Sequence, residues 1–187
     1  MYTDKLKFYK DFPKEGINFV DIIPFIQDRE TFSQIMGDIA AAVTTPNLAA
    51  VEARGFLFST PLLMMDSTVE NVIAIRKSGK LPFADDDLQK IAIVKEYGED
   101  VVNYRISDIA AGKPAGDVFE ITLFDDILAT GGTALGIAQA LNACKVVKDG
   151  REYGVKVKEF VFLLEIAELE GKKMLEELAP VKSIIVL

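Results

Sequence analysis

The chain has 187 residues, the length of one domain and enough to bury a core without disulfides or metal staples. Hydrophobic residues make up 50% and charged residues 27%, the balance of an ordinary globular protein, which excludes disordered, collagen-like and solenoid architectures. Asp and Glu outnumber Lys and Arg by 29 to 21. The resulting net charge of −8 argues against nucleic acid or an anionic membrane as a partner, but not against a small phosphorylated ligand, which needs only a local cluster of donors. With no histidine, the chain has no Ser-His-Asp or Cys-His catalysis, no imidazole base and no His-bound zinc. Its one cysteine, Cys144, lies in the Ala/Leu-rich run 138–147 and reads as a buried core thiol. No apolar run approaches the roughly 20 residues of a membrane span. Met1 to Lys10 lacks the apolar centre of a signal peptide, so the expected protein is soluble and cytoplasmic.

In chain order, the first 25 residues carry Pro13, Gly16 and Pro24 and read as an irregular segment. Within it Phe8, Phe12, Ile17, Phe19 and Ile22 are expected to pack on the body of the protein. Phe32, Ile35, Met36 and Ile39 have helical spacing and predict a helix from Thr31 to about Val43, capped by Asp28 or Thr31. Leu48–Ala53 is a short strand ending in Arg54-Gly55, followed by a helical stretch from Phe56 to about Met65. Asn71–Ile75 is a further strand, ending in the basic cluster Arg76, Lys77 and Lys80. Phe83–Gln89, with three consecutive aspartates, reads as a mobile loop. Ile91–Val94 and Val101–Ile106 form a hairpin-like pair around Glu96-Tyr97-Gly98. A strand Val118–Phe124 runs into Asp125-Asp126, and Gly131-Gly132 precede a helix from about Thr133 to Val147. The longest strand, Val155–Leu164, a helix over about Leu169–Leu178 and a last strand Ile184–Leu187 complete the chain. Apolar strands alternating with helices indicate an α/β fold with a central, mostly parallel sheet.

The strongest chemical signal is residues 121–133, ITLFDDILATGGT. A strand delivers two carboxylates at its C-terminal end, and a Gly/Thr turn then opens a helix whose free N–H groups and dipole suit an anion. Thr130 and Thr133 add hydroxyls. Successive strand residues face opposite ways, so Asp125 and Asp126 should not share one task. The same pattern also suits a sharp strand-to-helix turn with Asp as a cap. Likewise Arg76, Lys77 and Lys80 read either as an anion site or as a solvated basic loop, while from the residues alone Phe19 reads as a core aromatic and Glu96 as an exposed turn carboxylate.

The run Phe124–Thr133 resembles the phosphoribosyl-diphosphate (PRPP) signature of the type I phosphoribosyltransferases. Asp11–Asp21 (DFPKEGINFVD), Glu52–Phe58 (EARGFLF) and Ile75–Pro82 (IRKSGKLP) are similar to the adenine phosphoribosyltransferases among them, with Glu96 where that family carries a loop glutamate. The resemblance runs from about residue 8 to the C-terminus. It implies one phosphoribosyltransferase domain over 1–187, with 1–30 forming a small N-terminal hood. It also implies purine salvage: transfer of the phosphoribosyl group of PRPP to adenine N9, giving AMP and diphosphate.

By this resemblance, Asp125 and Asp126 would hold the ribose hydroxyls and Ala129, Thr130, Gly131, Gly132 and Thr133 the 5′-phosphate. Arg54, Arg76, Lys77 and Lys80 would face the diphosphate, Phe19 and Val20 the adenine, with Glu96 and Arg54 as catalytic residues. Magnesium would be held mainly through the PRPP diphosphate, with no metal ligand from the protein, and the chain would be a homodimer. Three features depart from the family: Val20 stands where an Arg is usual, the stretch between Pro82 and Glu96 is longer and its Asp85-Asp86-Asp87 place acid in the loop expected to close over an anion, and residues 65–71 are slightly expanded in a surface connection. A transferase for hypoxanthine, guanine or xanthine, and a non-catalytic PRPP-binding regulator, are the competing functions.

Overall fold

A computed structural model describes residues 2–12, 14–65, 67–95 and 98–187. Two short strands, β1 (Lys7–Lys10) and β2 (Asn18–Asp21), pair antiparallel. They are followed by α1 (Ile23–Ile26), α2 (Arg29–Ala42), β3 (Asn47–Val51), α3 (Arg54–Ser59) and β4 (Asn71–Lys77). Next come β5 (Leu88–Lys95), β6 (Gly98–Arg105), α4 (Ile106–Ala110), β7 (Val118–Leu128) and α5 (Gly132–Ala143). β8 (Lys145–Lys148), β9 (Arg151–Glu165), α6 (Gly171–Glu176) and β10 (Val181–Val186) complete the chain.

The main sheet has the order β10-β9-β7-β3-β4-β6-β5. Its first five strands are parallel, whereas β6 joins β4 and β5 antiparallel and β8 pairs antiparallel with β9. This is the mostly parallel α/β sheet that the alternation of elements indicated.

Side-chain alternation along the central strands supplies two cores, one per face. On β7, Phe119, Ile121 and Leu123 join Ile137, Ala138 and Leu141 of α5. Phe124 points the other way, toward Ile35 and Ile39 of α2 and Phe58 of α3. α2 starts two residues before the expected Thr31, with Asp28, one of the two candidate caps, at its N-terminus: Asp28 pairs with Lys5 at 2.7 Å and accepts from Thr31 N–H at 2.8 Å, and together these hold its carboxyl far below the usual carboxylate range. β9 slips register against β7 between Ile121 and Thr122, leaving Lys158 unpaired. The slip reverses the alternation along β9. Val155 and Val157 before it and Phe160 and Phe162 after it all reach the α5 face, while Glu159 turns inward on the other.

Four expectations need correction. The N-terminal segment is a hairpin, and Phe8, Phe12 and Ile17 are about half exposed on it, whereas Ile22 is buried. The helix expected to reach Val147 stops at Ala143, because Lys145–Lys148 turn back as β8 against β9; the β-branched pair Val146-Val147 suits a strand better than a last helical turn. Cys144 follows that helix and is only partly buried. In the 83–89 region, Gln89 already belongs to β5. Asp87 is tied to α4, accepting from Ser107 N–H and Oγ at 2.7 Å each.

Candidate active site

The C-terminal ends of β3, β4, β7 and β9 converge on one edge of the sheet, the place where open α/β sheets bind ligands. There β7 passes into α5 through Ala129, Thr130 and Gly131. Gly131 has φ 83°, a conformation glycine adopts without steric cost. The first intrahelical bond of α5 runs from Leu135 N–H to Gly131 C=O at 2.9 Å, so the amides of Gly132, Thr133 and Ala134 precede any helical acceptor. Asp125, Ile127 to Ala134 and Phe162 enclose a cavity of about 110 Å³. A cluster of amides at a helix N-terminus in a small polar cavity has the donors and the room to hold an anion of phosphate size.

The two aspartates divide as their alternation requires. Asp125 lines that cavity, and its Oδ1 accepts from Asp126 N–H at 2.8 Å. Burial, and then the neighbouring Asp126 carboxylate, push the Asp125 carboxyl well above the usual range. Asp126 faces α3, where its Oδ2 stands 2.7 Å from Arg54 Nε. The guanidinium N–H is not aimed at that oxygen, so Oδ2 is paired in charge yet buried without a hydrogen bond. Arg54 opens α3 and also lies over the ring of Phe19, 5.3 Å from its centroid.

Phe19 meets Phe12 edge to face at 5.2 Å. With Tyr9, Asp21, Ile23 and Arg54 these rings line a second, largely apolar cavity of about 390 Å³ beneath the hairpin. Asp21 is committed to α1, accepting from Ile23 N–H at 2.9 Å. The Val20 side chain turns away into the core, 5% exposed, so only its main chain can face a ligand.

Of the basic cluster, Arg76 is already engaged. Its Nε donates to Glu52 Oε2 at 3.0 Å and its Nη1 to Lys80 C=O at 2.6 Å, while Lys77 N–H also reaches Glu52 Oε2 at 3.0 Å. Partial burial raises the Glu52 carboxyl, but Arg76 and the Lys77 amide outweigh it and leave the group below its ordinary value. Lys77 and Lys80 are exposed, with no ion pair to a described residue. Glu96 lies outside the described residues, between β5 and β6; those strands pair to Lys95 and Gly98, so the expected hairpin is present.

An adenine phosphoribosyltransferase of Mesomycoplasma hyopneumoniae is 33% identical over 168 residues, 89% of this chain and 86% of that protein. One from Clostridium kluyveri is 32% identical over 176 residues, 92% of this chain and 91% of that protein. The chain belongs to the adenine phosphoribosyltransferase family. Among solved structures of this family, the enzyme of Thermoanaerobacter pseudethanolicus superposes with a TM-score of 0.80 at 30% identity, covering 100% of this chain and 98% of that one. The Saccharomyces cerevisiae enzyme, complexed with an imino-altritol bisphosphate and adenine, superposes at 0.76 with 28% identity, covering 98% of this chain and 96% of that one. No model of a protein family matches the chain.

Within this family fold, the structure shows three contributions that the sequence did not assign. Tyr9 and Phe12 line the aromatic cavity beside Phe19. Glu52 fastens the basic loop to the turn that carries Arg54. Gly171 lies directly behind the Ala129–Gly131 loop. Glu52, two residues before Arg54, and the aromatic spacing of the hairpin are visible in the sequence, but nothing local to Gly171 marks it.

Proposed function

We propose that this chain transfers the 5-phosphoribosyl group of PRPP to N9 of adenine, releasing diphosphate and forming AMP, a step of purine salvage. The carrying observation is the cavity in which Asp125 and the first-turn amides of α5 lie together at the sheet edge. In this reading Gly131 to Thr133 hold the 5′-phosphate through backbone N–H groups, and Thr130 and Thr133 add hydroxyl donors. Asp126 Oδ2, buried and short of a hydrogen bond, accepts a ribose hydroxyl, and Asp125 holds the sugar from the cavity side. The adenine enters the aromatic cavity, stacks on Phe19 and meets the main chain of β2 at Val20.

Bond cleavage at the anomeric carbon leaves oxocarbenium character on the sugar and negative charge on the departing diphosphate. Lys77 and Lys80 face that charge from the β4 loop, with Arg76 held beside them by Glu52. Arg54 stands between the sugar acids and the base, positioned to turn from Asp126 toward the diphosphate as the ribose takes its place. Glu96 is the sequence-based candidate to manage the N9 proton.

Among the described residues no group of three carboxylate or thiol side chains converges on a metal. Magnesium would arrive on the PRPP diphosphate and keep its waters. When bound, it supplies positive charge to the leaving oxygens. Residues 1–30 act as the hood of a single domain, and the working form is a cytoplasmic homodimer; among the described residues no helix is long and apolar enough to cross a membrane.

The test is diphosphate release from PRPP and magnesium with adenine, hypoxanthine, guanine or xanthine. Release with adenine alone is expected. Release with another base would move the specificity, and binding of PRPP without release would leave a regulator.

A further inference from the structure

We infer that Gly171, the first residue of α6, is a positioning residue for the 5′-phosphate loop: its missing side chain lets the loop carbonyls turn away from the anion site. A Cβ built at Gly171 would lie 2.1 Å from Ala129 O, 2.8 Å from Gly131 N and 2.8 Å from Thr130 C. The contact is reciprocal, since a Cβ at Gly131 would lie 2.9 Å from Gly171 O. All of these neighbours are backbone, which cannot rotate aside as a flexible side chain does.

Gly171 is buried but does not line the phosphate cavity. It therefore supports the loop from behind and does not touch the ligand. The surrounding chain is arranged to hold it there. Ile166 N–H bonds Leu128 C=O at 2.9 Å, tying the end of β9 to the end of β7. Glu170 then adopts φ 53°, a left-handed conformation that costs a non-glycine residue energy and persists only where the surroundings impose it. Leu175, fully buried in the core on the α5 side, anchors α6 from below.

Peptide groups are rigid, so a loop that directs its amides at a phosphate must direct carbonyls elsewhere. Ala129 C=O is directed at Gly171, into space that any other residue would fill. Relieving a 2.1 Å contact requires the loop to move by about 1 Å, which is enough to misalign its donors.

This inference rests on the assignment of the loop to the 5′-phosphate, and the experiment separates the two. Full-length wild type and Gly171→Ala are compared for KM of PRPP and of adenine, for calorimetric binding of ribose 5-phosphate, and for thermal melting. The variant is expected to weaken ribose 5-phosphate and raise the PRPP KM by about tenfold or more. The adenine KM at saturating PRPP should stay within about twofold, because the base site is separate. A folded variant with unchanged ribose 5-phosphate affinity, or with equal losses for both substrates, overturns the inference.

If Gly171→Ala does not fold, Leu175→Ala loosens the same support without a clash. It should weaken ribose 5-phosphate by about threefold and leave adenine unchanged, and no change in ribose 5-phosphate affinity overturns the inference. Failure of the wild type to bind ribose 5-phosphate would instead overturn the loop assignment.

Discussion

Two buried acidic clusters sit at opposite ends of the same strands, and they are built to different rules. At the N-terminal end of the parallel strands, Glu159 is 3% exposed and fully partnered. It accepts from Thr44 N–H at 2.6 Å, Thr44 Oγ1 at 3.0 Å, Thr122 Oγ1 at 2.8 Å and Lys182 Nζ at 2.6 Å. Burial raises its carboxyl, but Lys182 and the Thr44 and Thr122 donors more than compensate, leaving it below the ordinary value. At the C-terminal end, Asp125 is pushed above its ordinary value and Asp126 Oδ2 lacks a hydrogen bond. The first cluster has its partners within the protein and reads as structure. The second is left incomplete, as expected where a ligand supplies the missing donors.

Substitutions at four positions test that contrast, from the largest expected effect to the smallest. Asp126→Ala should lower kcat/KM for PRPP by roughly a hundredfold, the loss of a hydrogen bond to a charged group plus the freed Arg54, with little change in melting temperature. A large fall in stability with unchanged PRPP affinity would reverse the roles of the two clusters.

Glu159→Ala should cost about 3 kcal/mol of stability in denaturant titration while leaving both KM values unchanged. The folded-state value of Glu159 is depressed, so its contribution is present above the ordinary carboxylate pKa and is lost as pH falls through the lowered one. A stability–pH curve of Glu159→Gln should therefore lose part of the acid-side slope.

Asp125→Asn should stabilise the ligand-free protein by on the order of 1 kcal/mol at neutral pH while weakening PRPP binding. Here the sign is opposite. A raised folded-state value favours the native state below the ordinary carboxylate pKa, and that benefit is lost as pH rises toward the raised one. Destabilisation by this substitution at neutral pH would show that Asp125 carries structure after all.

Phe19→Ala should raise the adenine KM by about three- to tenfold, the worth of one aromatic stack, without altering ribose 5-phosphate affinity. An equal effect on both ligands would place Phe19 in the fold instead of the base site.

Much of the fold was legible because its signals are periodic and local. The α2 stripe, the hairpin around residues 96–97 and the long strand β9 follow from spacing alone. The misreadings share one cause, a choice between two partners that only the folded chain offers. Residues 144–147 continue a helical apolar run, yet β9 provides an edge that draws 145–148 into a strand. Phe8, Phe12 and Ile17 are apolar in a segment that pairs with itself, so they stay about half exposed on the hairpin.

By itself, the sequence determined the strand-to-helix corner at the sheet edge. Strand, acids, glycine turn and helix start all lie within residues 121–133, and the short chain between them leaves little freedom in their relative placement. It also determined that Asp125 and Asp126 would separate, because a strand alternates its faces. Tertiary structure alone decided which groups would meet them. Arg54 bridges Asp126 and Phe19, Glu52 clasps Arg76, Glu159 gathers Thr44, Thr122 and Lys182, and Gly171 backs the loop. Each of these pairs joins segments that are distant in sequence, and their approach is set by sheet order and by the register slip in β9, to which local propensity is blind.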